Sequence, residues 1–93
     1  MGEPHPWTTI DDIVEAVSTW TGVSRLDLLG RRKLRHLIRP RVLLWTILRE
    51  ELQMSYPAVA RVARRDHTTV RAALITHPAD RGEVEAIRKA LRV

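Results

Sequence analysis

Cysteine and phenylalanine are absent from this chain, which has one tyrosine, three tryptophans and four glycines. Without thiols no disulfide framework forms and no thiolate metal site can be built. The shortage of aromatics leaves an apolar complement, 44% of the chain, that comes almost wholly as Leu, Val, Ile and Ala. Such a set suits packed helices better than a sheet. No apolar stretch approaches the roughly eighteen residues of a membrane span, and no signal-peptide pattern follows Met1. A soluble, cytoplasmic chain that does not use a membrane is therefore expected. No glycine-rich phosphate loop occurs, which excludes ATP hydrolysis by these residues. His5, His36, His67 and His77 share no ligand spacing, so neither a metal nor another cofactor is expected.

At 93 residues there is room for one small core and no second domain. Its charge is unevenly spread. The net charge is +5, but the stretch from Arg31 to Arg71 holds eleven basic and three acidic residues, a net +8, which leaves −3 elsewhere. A cationic middle is the footprint of a polyanion binder, where evenly scattered charge would read as a solvated surface.

Punctuation along the chain predicts a series of helices. Residues 1–7, with Gly2, Pro4 and Pro6, cannot continue a helix and are expected to be a disordered arm. Thr8 or Thr9, with Asp11 and Asp12 behind, opens a first helix whose apolar stripe is Ile10, Ile13, Val14, Val17 and Trp20, closed by Gly22. Ser24 and Asp27 repeat the capping pattern for a short helix over Arg25 to Leu29, ended by Gly30. A basic loop or frayed entry, Arg31 to His36, leads into the longest helix. Pro40 fits only near a first turn, so this helix starts close to His36 or Leu37 and runs to Leu52. Its buried side is expected to carry Leu37, Arg41, Leu44, Trp45, Leu48 and Leu52. Ser55 caps a helix burying Val59, Ala60, Val62 and Ala63; Arg64 and Arg65 turn the chain; and Asp66 caps another through Val70, Ala73 and Leu74. That is a helix-turn-helix layout without the glycine common in such turns. His77 and Pro78 end it, and a capping box of Asp80 and Glu83 opens a last helix carrying Val84, Ile87 and Leu91.

The chemistry concentrates in Arg64-Arg65-Asp66-His67-Thr68-Thr69-Val70. Asp66 is expected to cap the helix, and a carboxylate there can also accept from a base amino group. His67, Thr68 and Thr69 occupy the first turn, where imidazole and hydroxyls can meet base edges or phosphates. A nucleophilic triad of Asp66, His67 and Thr68 is excluded, because successive helical residues diverge by about 100° and cannot converge on one atom. The chain is therefore read as a binding protein and not as an enzyme. Arg31, Arg32, Lys33, Arg35, Arg39 and Arg41, six cations without an acid in eleven residues, suit a duplex backbone or a narrow minor groove.

The order of Asp11-Asp12-Ile13, Gly22-Val23, Asp27-Leu28-Leu29-Gly30, the basic loop, Arg39-Pro40-Arg41, Leu48-Arg49-Glu50-Glu51-Leu52, Ser55-Tyr56-Pro57 and Arg65-Asp66-His67-Thr68-Thr69-Val70 resembles the C-terminal DNA-binding domain of the bacterial chromosomal replication initiators, the DnaA family. The likeness runs from about Thr9 to Ala73. It implies an all-α domain of Trp-repressor-like type with a helix-turn-helix that binds a short duplex element, the DnaA box. It further implies that Asp66, His67 and Thr68 read bases in the major groove while Thr69 and Arg65 hold the strand. By the same likeness Lys33, with Arg32 and Arg35 beside it, reaches the minor groove. Arg41, Arg49 and Pro57 match phosphate-contacting positions, and Arg31, Arg64 and Arg71 are cations placed to add to them. Two departures stand out: the turn before Arg65 is one residue shorter than the family's and lacks glycine, and Lys33 replaces an arginine. The expected function is stand-alone, sequence-specific binding of double-stranded DNA without an ATPase, acting on replication initiation or transcription at the nucleoid, or the same binding by a piece of a longer initiator. The alternative is an interaction module of the same fold whose partner is an initiator or another replication protein.

Overall fold

The computed structural model describes residues 8–92, and the described residues are helical with no strand. The arm predicted over residues 1–7, with His5, lies outside them. Six α-helices follow in order: α1 Ile10–Thr21, α2 Arg25–Leu29, α3 Ile38–Glu51, α4 Tyr56–Ala63, α5 His67–Thr76 and α6 Arg81–Leu91, with a 3₁₀ turn Arg35–Leu37 leading into α3.

The caps explain the boundaries. Thr9 and Asp12 form a reciprocal capping box at α1, each side chain bonded to the other's amide (3.1 and 2.9 Å). Gly22 ends α1 in the left-handed conformation, φ 76°, which costs a residue without Cβ little. Gly30 ends α2 for a different reason. Its φ is ordinary, but a Cβ there would stand 2.7 Å from the Leu26 carbonyl oxygen. Ser24, Ser55 and Asp80 cap α2, α4 and α6, each accepting from the amide three residues on. Pro40 lies in the first turn of α3, where its missing amide hydrogen would have had no helical partner.

Helix α3 is the axis of the fold, packed against α1, α2, α4, α5 and α6. Encirclement buries Val42, Leu43 and Ile47 along with the predicted Leu44, Trp45 and Leu48, so the helix is apolar on more than the one side its spacing suggested. Leu52, at its end, is only half-buried. Ile13, Val14 and Val17 of α1, Leu28 of α2, Val59, Ala60 and Ala63 of α4, Val70 of α5, and Val84 and Ile87 of α6 complete one core.

Three expectations fail at the edges of this core. Ile10 and Trp20, in the first and last turns of α1, are 38% and 50% exposed, and the buried part of the predicted stripe is Ile13, Val14 and Val17. The Trp20 indole N–H, which needs a partner, donates to Glu83 Oε2 at 2.8 Å. For the same reason the capping box at α6 is half formed. Asp80 accepts from the Glu83 amide, but the Glu83 carboxylate is turned toward Trp20 and Arg39.

A buried ion network between α3 and α6 was not legible in the sequence. Glu51 is fully buried, and its Oε1 accepts from Arg88 Nε (2.8 Å) and Arg92 Nη2 (3.0 Å). Glu50 beside it binds Arg81 through two bonds, at 2.6 and 3.0 Å, and Arg88 at 3.1 Å. The Arg81 bonds hold the Glu50 carboxyl below its ordinary range, against the opposing effect of burial.

Candidate nucleic-acid interface

Helices α4 and α5 are joined by Arg64, Arg65 and Asp66. Arg64 takes the left-handed conformation, φ 58° and ψ 43°, that a glycine would take in such a turn. The amides of Arg64 and Arg65 both return to the Ala60 carbonyl, satisfying the end of α4. The missing glycine therefore does not open the turn. An arginine accepts the backbone strain instead.

Asp66 begins α5. Its Oδ1 accepts from the Thr68 amide (2.8 Å) and the Thr68 hydroxyl (2.7 Å). The Thr68 hydroxyl, then its amide, hold the carboxyl of Asp66 below the ordinary aspartate range. Oδ2 is left without a donor among the described residues, so the same side chain caps the helix and still presents an acceptor outward. The side chains of Asp66 and His67 are 66% and 56% exposed. Thr68, Thr69 and Arg71 are also exposed, and Val70 is the residue that α5 buries. Arg71 stands one turn beyond His67 on the same helix face.

The basic loop lies beside this helix start. One concavity is lined by Arg31 from the loop, Pro57 and Arg61 from α4, Arg64 and Arg65 from the turn, and Asp66 and His67. A neighbouring groove is lined by Lys33, Leu34 and Arg35 from the loop side, by Ile38, Arg41, Val42 and Trp45 of α3, and by Arg65, Thr69 and Ala73 from the turn and α5. Arg65 stands between the two. Its guanidinium lies 5.5 Å over the Trp45 ring, and Nη1 donates to the Ala63 carbonyl at 2.9 Å. Burial, and then the neighbouring Arg31 charge, lower its pKa from the ordinary value, yet a guanidinium stays charged in such a setting.

Arg41 is not where a phosphate contact would put it. The side chain is buried, with Nε and Nη2 donating to the Asp27 carbonyl (3.2 and 2.8 Å) and Nη1 to the Arg32 carbonyl. All three bonds go to backbone acceptors, so Arg41 ties the end of α2 and the basic loop to α3. Burial, and then Arg65, lower its pKa, with Asp27 opposing. It positions the loop, and although it lines the groove beside Lys33 and Trp45 its hydrogen bonds all go to the backbone. Arg49 is stacked on the Tyr56 ring at 3.8 Å and lines neither concavity. Arg32 is exposed, with its carbonyl held by Arg41.

Arg61 is the member that sequence reasoning missed. It lies in the last turn of α4, exposed, in the same concavity as Arg64 and His67. Its signal was the spacing of three to Arg64 and four to Arg65, but only the turn geometry brings it to the start of α5.

Electrostatics separates this face from the rest of the molecule. Arg25, Arg39, Arg81, Arg88 and Arg92 pair with carboxylates. Arg31, Arg32, Lys33, Arg35, Arg61, Arg64, Arg65 and Arg71 pair with no acid among the described residues; away from this face Arg49, on the Tyr56 ring, and Lys89 of α6 do the same. Cations left uncompensated side by side are a field waiting for an anion. No cluster of three or more potential metal ligands occurs among the described residues, and no described helix is long and apolar enough to cross a membrane.

Comparison with known proteins agrees with this layout. The family described as the bacterial DnaA protein helix-turn-helix matches residues 10–75. Among relatives, the chromosomal replication initiator protein DnaA of Neisseria meningitidis (strain FAM18) is 32% identical over 71 residues, 75% of this chain and 14% of its own. The DnaA of Sphingopyxis alaskensis is 35% identical over 95 residues, covering 94% of this chain and 21% of its own. DnaA 2 of Chlamydia caviae is 39% identical over 62 residues, 67% of this chain and 14% of its own. The chain thus spans roughly a seventh to a fifth of the relatives it matches. No solved structure matches it significantly. With α4, an arginine-bearing turn and α5 forming the helix-turn-helix inside the matched segment, the chain belongs to the bacterial DnaA helix-turn-helix family.

Proposed function

We propose that these 93 residues suffice to bind double-stranded DNA at a DnaA-box-like element, without an ATPase. Helix α5 enters the major groove with Asp66, His67 and Thr68 toward the bases, and Thr69 and Arg65 hold the strand. Lys33, with Arg32 and Arg35, reaches the adjacent minor groove. Arg31, Pro57, Arg61, Arg64 and Arg71 meet phosphates. Acting at such elements, the chain would compete with an initiator for its boxes or regulate a promoter carrying one. The observation that carries this reading is the exposed start of α5 sharing one side with loop and turn cations that no described acid neutralises.

Fluorescence anisotropy with a box duplex and a scrambled duplex of equal length tests it, and equal affinities at physiological salt would refute sequence reading. His67→Ala is expected to cost about 1–3 kcal/mol on the box duplex and little on the scrambled one. Lys33→Ala or Arg32→Ala weakens both and lowers the salt dependence.

One observation favours the second reading, an interaction module. Leu26 is 81% exposed beside Leu29 and Val62, an apolar surface a partner protein could cover. Capture of a replication protein that survives nuclease treatment, together with equal affinity for the two duplexes, would select it.

A further inference from the structure

The groove between the basic loop and α5 is unlike the rest of the cationic face, because its floor is apolar. Leu34, Ile38, Val42, Trp45 and Ala73 all line it. Ile38 is 38% exposed although it is a large aliphatic residue amid cations. Lys33, Arg35 and Arg65 stand along the groove, and Thr69 contributes a hydroxyl. A face that served only to attract phosphates would need no such floor, since phosphate oxygens gain nothing from aliphatic contact.

The proposed DNA reading says what fills it, and this inference rests on that reading. With the loop in a minor groove and α5 in the neighbouring major groove, the part of a duplex that runs between the two is a sugar–phosphate strand. Such a strand alternates anionic phosphates with sugar carbons, and the groove offers both cations and aliphatic surface. We infer that the groove seats this strand, with deoxyribose carbons on Leu34 and Ile38 and a phosphate on Arg65 while Lys33 and Arg35 pass beyond it into the minor groove, and that it thereby rejects ribose at the seated nucleotides.

The rejection follows from the lining. A 2′-hydroxyl brought against Leu34 and Ile38 loses its water. Two lining side chains carry a neutral polar group, and neither is free to meet it: Thr69 belongs to the recognition helix, and the unpartnered indole N–H of Trp45 is buried out of reach of solvent. Arg65 is engaged by phosphate, and Lys33 and Arg35 by the minor groove. A polar group desolvated without a partner is penalised, and the 2′-hydroxyl is the group by which a protein separates the two nucleic acids at a given nucleotide.

The test uses the unmodified chain and a series of box duplexes, each carrying a single ribonucleotide at successive positions of either strand, read by competition anisotropy. The expected result is a loss of roughly five-fold or more, as for an unpaired desolvated hydroxyl, confined to one or two adjacent positions on one strand. Those positions lie between the segment read by α5 and the segment reached by the loop. Ile38→Ser, at a partly exposed position where folding is retained, offers the hydroxyl a partner and brings the loss at those positions below two-fold. A flat series, with every position within two-fold while the box is still preferred over the scrambled duplex, overturns the seat and leaves the DNA reading standing. Loss of the box preference itself overturns that reading and the seat with it.

Discussion

Arg64→Gly should make the protein more stable and a weaker DNA binder at once, a pair of opposite signs that few substitutions can give. Arg64 stands at φ 58° and ψ 43°, a region that costs a residue with a Cβ roughly 1–2 kcal/mol. Its side chain is exposed and makes no hydrogen bond among the described residues, whereas the capping amide belongs to the backbone and survives the change. Glycine relieves the strain but enlarges the unfolded ensemble by about 0.5–1 kcal/mol. The net gain is therefore between about 0 and 1.5 kcal/mol, with a midpoint of ~0.8. With an unfolding entropy of about 2 cal/mol/K per residue, that midpoint raises Tm by roughly 4 °C. In DNA binding the same change removes one cation from the concavity that holds Arg31, Arg65 and His67. The slope of log K against log salt should fall by about 0.9, on box and scrambled duplexes alike. Arg64→Ala is the control, since it deletes the charge but keeps the strained Cβ, lowering the slope without the gain in Tm. Calorimetry and salt-dependent anisotropy on the three proteins decide the matter. A lower Tm in Arg64→Gly would refute the strain argument, and an unchanged slope would remove Arg64 from the interface.

Three further outcomes follow from named contacts. Glu51→Gln should destabilise the fold by about 3–5 kcal/mol in urea unfolding, because Arg88 and Arg92 lose a buried carboxylate; a change below 1 kcal/mol would show that the network contributes little. Arg61→Ala should leave Tm within a degree or two yet lower the salt slope by about 0.9, and an unchanged slope would place Arg61 off the DNA. For acid stability the sign runs one way. The Glu50 carboxyl is held below its ordinary 4.5 chiefly by Arg81, so its contribution is complete above 4.5 and is lost as pH falls through the lower folded value. Glu50→Gln should thus flatten the acid limb of the stability curve and leave its shape above pH 6 unchanged, and an unaltered acid limb would argue against the Arg81 pairing.

Much of the molecule could be read before any coordinates, because helix punctuation is local. Thr9, Ser24, Ser55, Asp66 and Asp80 each cap the helix their position announces, since a cap needs only the next three residues. The buried stripe of α4 and the exposure of His67 and Thr68 were legible for a related reason. Apolar periodicity along one helix states which side faces in.

What the residues by themselves determined was the number and order of helices, the helix-turn-helix, and the pooling of positive charge around it. What only the tertiary structure decided was which cations are free. Arg41 reads both as a buried-side residue of α3 and as a phosphate contact, and packing decides between the two by seating it on the carbonyls of Asp27 and Arg32. Arg61, to which no local pattern assigns a role, lines one concavity with Arg64 and His67 at the start of α5. Arg88 and Arg92 are spent on Glu51, some forty residues away in sequence. Local pattern reports a side chain's chemistry and its helix face. Whether its charge is neutralised depends on partners brought together from distant parts of the chain by packing around α3, and no periodicity records them.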